Sequence, residues 1–354
     1  MTVTLRLLRA ATYVPRTELD GVRVAGPDED AFTLGATALE RLLAPPGDRA
    51  PAALHLVGAF PPIAGAGYPL LLGRPVPVVA HGDGPEAVDA AFAASSPAGA
   101  DGATAVVLVV DEPDRADDGL AAGPAVAVAV EVAADGAGGP PPAGDDRSTG
   151  ARARRWAAAA SDPAPVPVED ARPIPIDRPR LRAAAAVPVG AVSEGAYVPR
   201  PRYLESVPSR WRLVAERCSA CGALTFPARG ACRWCGNRDG LGAERLPADG
   251  GTVVASTVIG AGSQPTEFDG PARALGPYGV VLVELAPGAR GTFLVTDAPG
   301  PKLPIGSRVG TRLRRLYPME GEWRYGRKAV PLPVDEAAGR SAGAGSHGAP
   351  SHPS

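Results

Sequence analysis

Arg217-Cys218-Ser219-Ala220-Cys221-Gly222 and, with ten positions between Cys221 and Cys232, Cys232-Arg233-Trp234-Cys235-Gly236 decide the fold at the centre of this chain. Two thiolates at i and i+3 in a tight knuckle grip one face of a tetrahedral Zn²⁺, and a second knuckle supplies the other face. Glycine after the second cysteine of each pair frees the backbone for the turn. The chain has four cysteines, and these are all of them. A pair of disulfides or two redox-active dithiols are the rival readings, but paired C-x-x-C knuckles at short separation point to a metal. Cys218, Cys221, Cys232 and Cys235 are therefore expected to hold one Zn²⁺ per chain in a rubredoxin-like zinc ribbon. A four-thiolate shell leaves no open coordination position, so the metal would be structural. It would hold together a segment with few apolar residues of its own, mainly Trp211, Leu213, Phe226 and Trp234.

Outward from the ribbon, 354 residues allow about two domains. The net charge is only −2, which conceals a division. Residues 1–150 carry 9 Lys/Arg against 20 Asp/Glu, and residues 200–334 carry 19 against 11. An acidic and a basic module either have different partners or face each other. No apolar run approaches the roughly 20 residues of a membrane span, and Arg6 and Arg9 interrupt the N-terminus. Thiols used for metal imply a reducing compartment, so a cytoplasmic location is expected.

The first module, 1–135, reads as alternating strand and helix. Val3–Leu8, Ala53–Ala59 and Pro75–Ala80 are strand candidates. Asp30 is a plausible N-cap for a helix to about Leu43, and Pro85 opens a second helix to about Ala94. Ala103–Val110 and Ala125–Val132 are continuous apolar runs, as strands buried on both faces would be. Residues 136–199 read as a Pro/Ala/Gly-rich linker, since prolines recur from Asp162 to Pro188 where neither helix interior nor central strand tolerates them. The ribbon with its leading segment occupies 200–246. Over 247–334, five β-type runs follow: Thr252–Ile259, Tyr278–Leu285, Thr292–Thr296, Arg308–Leu316 and Arg324–Val330. They fit a small all-β barrel, for which the five-stranded OB-fold is the commonest choice, with a small sandwich as the alternative. Residues 335–354, with His347 and His352, read as a disordered tail.

The series Trp211, Arg217-Cys218-x-x-Cys221-Gly222, Phe226-Pro227-Ala228-Arg229, Cys232-x-x-Cys235-Gly236, Gly251-Thr252-Val253, Pro277-Tyr278-Gly279-Val280, Val295-Thr296-Asp297, Ile305-Gly306 and Tyr325-Gly326 spans about 200–332. It resembles the zinc-ribbon plus OB-fold proteins that accompany thiolases and related acyl-CoA enzymes, domain-of-unknown-function family thirty-five. The resemblance implies a non-catalytic accessory subunit that binds a thiolase-fold or hydratase-type enzyme and contacts coenzyme A. Ala11-Thr12-Tyr13-Val14-Pro15-Arg16 and Gly26-Pro27-Asp28-Glu29-Asp30-Ala31-Phe32-Thr33 resemble the start of the 3-hydroxy-3-methylglutaryl-CoA synthase branch of the thiolase fold. Those enzymes place a cysteine nucleophile at a buried helix N-terminus. The corresponding stretch here reads Ala80-His81-Gly82-Asp83-Gly84, no cysteine precedes Cys218, and the second thiolase half is missing. The N-terminal module is thus expected to be a degenerate thiolase-like half, chemically silent. It could dock a genuine thiolase-type partner, because its apolar strands need a cover that so short a module struggles to supply.

Arg312, Arg314 and Arg315 on a late strand, Arg327 and Lys328 on the last, and Arg229 in the ribbon are candidate contacts for coenzyme A phosphates, which guanidinium groups bind bidentately. An ordinary solvated strand face, or contacts with the acidic N-terminal module, would explain the same residues. His55, in an apolar run, reads as a core residue, and His81 lacks a nucleophile beside it. The function expected is that of a non-enzymatic accessory subunit binding a thiolase- or synthase-type enzyme and the coenzyme A moiety of an acyl-CoA. Single-stranded nucleic-acid binding is the rival. It is disfavoured because such barrels stack bases on exposed aromatics and the strands here offer no dense aromatic stripe.

Overall fold

A computed structural model describes residues 6–44, 51–95, 103–111, 125–133, 148–163, 172–187, 198–260 and 262–333. The segment 135–146 and the tail from 335 lie outside the described residues. The N-terminal part contains β1 (Arg6–Tyr13), β2 (Thr17–Leu19), β3 (Val22–Arg23), α1 (Ala31–Leu42), β4 (Ala53–Val57), α2 (Ala64–Leu72), β5 (Val78–Ala80), α3 (Pro85–Ala94), β6 (Thr104–Asp111) and β7 (Val126–Ala133). It continues through α4 (Thr149–Ala158), β8 (Asp162–Pro163), β9 (Ile174–Pro175) and α5 (Arg178–Ala185).

Six of these strands form one sheet in the order β5-β4-β6-β7-β1-β8. β4, β5 and β6 run parallel, and β7 runs antiparallel to both β6 and β1. The apolar runs of β6 and β7 are buried on both faces, as expected of a sheet with helices on each side. Leu39 of α1 and Tyr68 and Leu71 of α2 pack with Leu108 and Ala127 on one face. Val88 and Phe92 of α3 pack with Val107 and Val128 on the other, together with Ala153 and Trp156 of α4.

The sequence reading places α4 in the Pro/Ala/Gly-rich linker 136–199, and the structure differs. Ser148 caps this helix by accepting from the Ala151 amide, and Trp156 stacks on Phe92 with ring centroids 4.0 Å apart. Of the prolines that suggest a connector, three among the described residues occupy positions where proline is harmless. Pro163 and Pro175 lie in two-residue edge pairings, and Pro179 in the first turn of α5. Helix α2 also goes unmarked in the sequence, since Pro69 inside it masks the helical pattern.

The C-terminal part begins with α6 (Arg200–Arg212), followed by β10 (Val214–Cys218), β11 (Leu224–Thr225) and β12 (Leu241–Arg245), which pair in the order β11-β10-β12. Next come β13 (Gly251–Ile259), α7 (Asp269–Leu275), β14 (Tyr278–Ala286), β15 (Ala289–Leu294), β16 (Arg308–Met319) and β17 (Glu322–Pro331). These five strands form an antiparallel sheet, β15-β14-β13-β16-β17. Its two outer strands also approach each other, because Val295 bridges Ala329 in parallel and the Thr296 amide donates to the Ala329 carbonyl at 2.9 Å.

Helix α1 lies between the two parts. Asp30 and Thr33 form a capping box at its start, and Gly35, Ala36 and Ala38 keep it slim enough to be enclosed. Phe32 meets Tyr68 on one side and Trp211 and Tyr325 on the other, with centroids 5.0–5.8 Å apart. The Tyr203 hydroxyl ties α6 to β17 by accepting from the Tyr325 amide at 2.8 Å. The cover that the acidic module lacks in sequence is therefore supplied by the basic module of the same chain.

Candidate metal centre and the charged seam

The four cysteine sulfurs all lie within 4.8 Å of one another. Cys218 Sγ is 3.7 Å from Cys235 Sγ, and Cys221 Sγ is 3.6 Å from Cys232 Sγ. A tetrahedron with Zn–S bonds of about 2.3 Å has sulfur–sulfur edges of about 3.8 Å, whereas a disulfide requires about 2.0 Å. The donor set therefore fits a tetrahedral thiophilic ion and not two disulfides. Gly222 and Gly236 adopt φ of +72° and +74°, which turns the chain so that their amides donate to the carbonyls of Cys218 and Cys232. The amides of Cys221 and Ala220 pull the Cys218 thiol down to about 6. Cys221 accepts from the Ala223 amide, yet the Cys235 and Cys232 sulfurs beside it hold it up at about 12. Four sulfurs this close cannot all ionise without a cation among them.

The ribbon's apolar residues differ from expectation. Leu213 and Phe226 pack into the core of the five-stranded sheet with Val253, Val281 and Val283, and Trp211 packs on α1. Trp234 is 66% exposed, with Arg233 across its ring. The ribbon's hydrophobic residues pack on its neighbours, so its internal ties are the three-stranded pairing and the four-sulfur cluster.

Five of the six cationic residues considered for coenzyme A are occupied within the fold. Arg314, fully buried, lies 2.8 Å from both Glu29 and Asp297, and donates to the Tyr13 hydroxyl at 2.7 Å. Lys328 pairs with Asp28 at 2.9 Å, and Arg327 pairs with Glu40. Arg315 donates to the Pro27 carbonyl at 3.0 Å and lies over Trp323. Arg312 binds Asp249 at 2.6 Å. Arg312 and Arg314 alternate along one strand, but Arg314 meets Tyr13 and Glu29 of the N-terminal part and Arg312 meets Asp249, so neither is left to solvent. Of the six, Arg229 in the ribbon has an exposed side chain.

Tyr13, Asp28, Glu29 and Asp30 thus form the acidic half of a seam. The Tyr13 hydroxyl donates to Glu29 at 2.5 Å, and Tyr325 donates to Asp30 at 2.9 Å. Burial pushes Glu29 up to about 7, against the pull of Arg314. Asp28 is buried as well, yet Lys328 and Arg314 hold it below its ordinary value. The signal for this seam was present in the opposite charges of the two modules, but charge alone does not name the partners.

His55 Nδ1 lies 2.8 Å from His81 Nε2 with the rings stacked, and burial lowers the affinity of both for protons. Asp83 accepts instead from the Thr149 hydroxyl at 3.0 Å. A cavity of about 300 Å³ opens between the two parts. Ile174, Ile176, Phe268, Leu275 and Leu316 supply apolar wall, and Asp28 and Lys328 also line it. No helix among the described residues is long and apolar enough to cross a membrane.

Residues 209–239 match the rubredoxin-like zinc ribbon domain of ChsH2. A DUF35 domain-containing scaffold protein of Methanothermobacter thermautotrophicus is 33% identical over 129 residues, which are 35% of this chain and 90% of that protein. A scaffold protein of the same description from Methanocaldococcus jannaschii is 30% identical over 128 residues, 36% of this chain and 86% of that protein. Among solved structures, the Ltp2-ChsH2(DUF35) aldolase is 26% identical, with 38% of this chain and 98% of that chain covered and a TM-score of 0.29. PksG, an HMG-CoA synthase from Bacillus subtilis, is 19% identical, with 38% and 40% covered and a TM-score of 0.31. On the identity and coverage of the two archaeal scaffold proteins, this chain belongs to the DUF35 domain-containing scaffold protein family.

Proposed function

We propose that the chain is a cytoplasmic, non-catalytic subunit that holds a thiolase- or synthase-type enzyme and the coenzyme A end of its acyl thioester. The observation that carries the reading is the cavity at the seam, walled by both parts of the chain, which is where ligands are commonly bound. Its apolar wall suits an uncharged arm such as pantetheine. In this reading the five-stranded sheet is an OB-type barrel, a view supported by its strand order and by the parallel approach of Val295 to Ala329. The four cysteines are committed to a closed metal shell, and the stretch around His81 carries no nucleophile. Bond-making then belongs to the partner, and the gain supplied here is effective concentration.

The free edge of β5 is the proposed docking strand for the partner. It pairs with β4 on one side, and Val79 is 42% exposed. Nucleic-acid binding ranks lower because Phe293, Tyr317 and Tyr325 of the barrel are buried and cannot stack bases. The test uses the full chain, since removing residues 200–333 would uncover α1. Affinity capture from the source cells should retain a thiolase-fold enzyme, and calorimetry should show acetyl-CoA binding that competes with no single-stranded DNA. Turnover of acetyl-CoA by the isolated chain, or capture of nucleic acid in place of an enzyme, would overturn the proposal.

A further inference from the structure

Glu40 on α1 is crowded by more positive charge than it can neutralise. Arg327 of β17, 1% exposed, pairs with one of its oxygens, and Arg245 of β12 reaches the same oxygen at 3.8 Å. Arg212 is the last residue of α6, and the Leu246 amide donates to the Leu213 carbonyl at 3.0 Å while Val214 pairs with Arg245, which sets that helix end beside Arg245. Arg245 and Arg327 therefore share one carboxylate, and with Arg212 beside them the three guanidinium groups outnumber it where the N-terminal part, the ribbon and the five-stranded sheet meet.

The three arginines are not equally satisfied. Arg327 Nε donates to the Trp211 carbonyl at 2.6 Å and Nη1 to the Thr311 carbonyl at 3.1 Å. Arg212 Nε is buried and has no hydrogen-bond partner among the described residues. Its guanidinium lies against Gly73, where α2 ends with φ +79°, so any side chain at position 73 would collide with it. The carbonyl end of α2 offers Arg212 a favourable field but no acceptor for Nε. Leaving a half-buried guanidinium unmatched is costly, and Arg245, with its side chain 37% exposed, keeps the place open to solvent.

We propose that Arg212 and Arg245, beside the Arg327–Glu40 pair, form a binding site for a phosphate monoester. The charge decides the class: a single carboxylate would leave the excess half-compensated, whereas a monoester near −2 at neutral pH balances it. Arg327 stays with Glu40, and Arg212 and Arg245 turn their planar forks to the phosphate oxygens. The site lies apart from the residues that line the seam cavity, so it stands without the coenzyme A reading. If that reading also holds, the 3′-phosphate of coenzyme A is the group of matching chemistry.

Calorimetry on the full-length, zinc-loaded protein tests this with inorganic phosphate, coenzyme A and dephospho-coenzyme A. Phosphate should bind saturably, and Arg212→Ala and Arg245→Ala should each weaken it by at least about tenfold, the size of a lost charge-assisted hydrogen bond. Arg212→Lys should recover part of the loss, and zinc content and melting temperature serve as controls that the variants fold. Coenzyme A outbinding its dephospho form identifies the coenzyme as a source of the phosphate, while equal binding of the two leaves another monoester as the ligand. Absence of saturable phosphate binding, or a double variant that binds phosphate like the parent, overturns the site. Failure to capture a thiolase-fold partner would count against the scaffold reading alone.

Discussion

The ribbon and the seam are both tied by polar side chains, yet they are built in opposite ways. The ribbon's four sulfurs come from within 18 consecutive residues, and turn geometry at Gly222 and Gly236 brings them together. The seam joins Arg314 to Tyr13 and Lys328 to Asp28 across some 300 positions of chain. A metal knot is specified by spacing and needs little else. A buried ion cluster depends on two folded surfaces meeting, and it repays desolvation only if every charge finds its partner.

That contrast can be broken at the ribbon first. Cys232→Ser should take zinc from about one per chain to near zero and unfold residues 213–246, because metal binding there is folding free energy of order 10 kcal/mol. Metal analysis with hydrogen exchange over the ribbon checks it, and a protein still holding one zinc would refute the assignment.

A smaller loss is expected at the seam. Arg314→Met strands Glu29 and Asp297 and should lower the unfolding free energy by about 3–5 kcal/mol in urea titration. Arg229→Ala, at an exposed position, should change it by no more than about 0.5 kcal/mol. Equal effects would mean that the seam contributes no more than the surface.

The smallest effect is in the pH dependence. Glu29 is raised from 4.5 to about 7 by burial, so the fold favours its protonated form. Its contribution is fully present below about pH 4.5 and is lost as pH rises through about 7. Asp28 works the other way, contributing above its ordinary value of 3.8 and losing that contribution on further acidification. Between pH 8 and 5.5, stability of the parent should therefore rise relative to Glu29→Gln. Parallel curves for the two proteins would show that Glu29 stays ionised in the fold.

Much of the secondary structure was legible in sequence. Asp30 caps α1, Pro85 opens α3, and all five strands of the C-terminal sheet fall within a few residues of their hydrophobic runs. Local patterns of this kind depend on neighbours a few positions away. Helices α2 and α4 were not legible. Pro69 disguises the first, and the second sits in a proline-rich setting and takes its stability from Phe92 and Asp89. The destination of the arginines was open for the same reason, since a strand's alternation says which side chains share a face but not what that face meets.

The sequence by itself determined the four-cysteine cluster, the strands and helices that carry a clear local pattern, and the unequal charge of the two parts, because each follows from spacing or composition. Only the tertiary structure decided that the basic strands close over α1, that Arg314 pairs with Glu29 and Asp297, and that Arg212 Nε finds no acceptor among the described residues. Those outcomes depend on which distant charges are taken out of water together, and electrostatic pairing in a low-dielectric seam leaves no periodic mark along the chain.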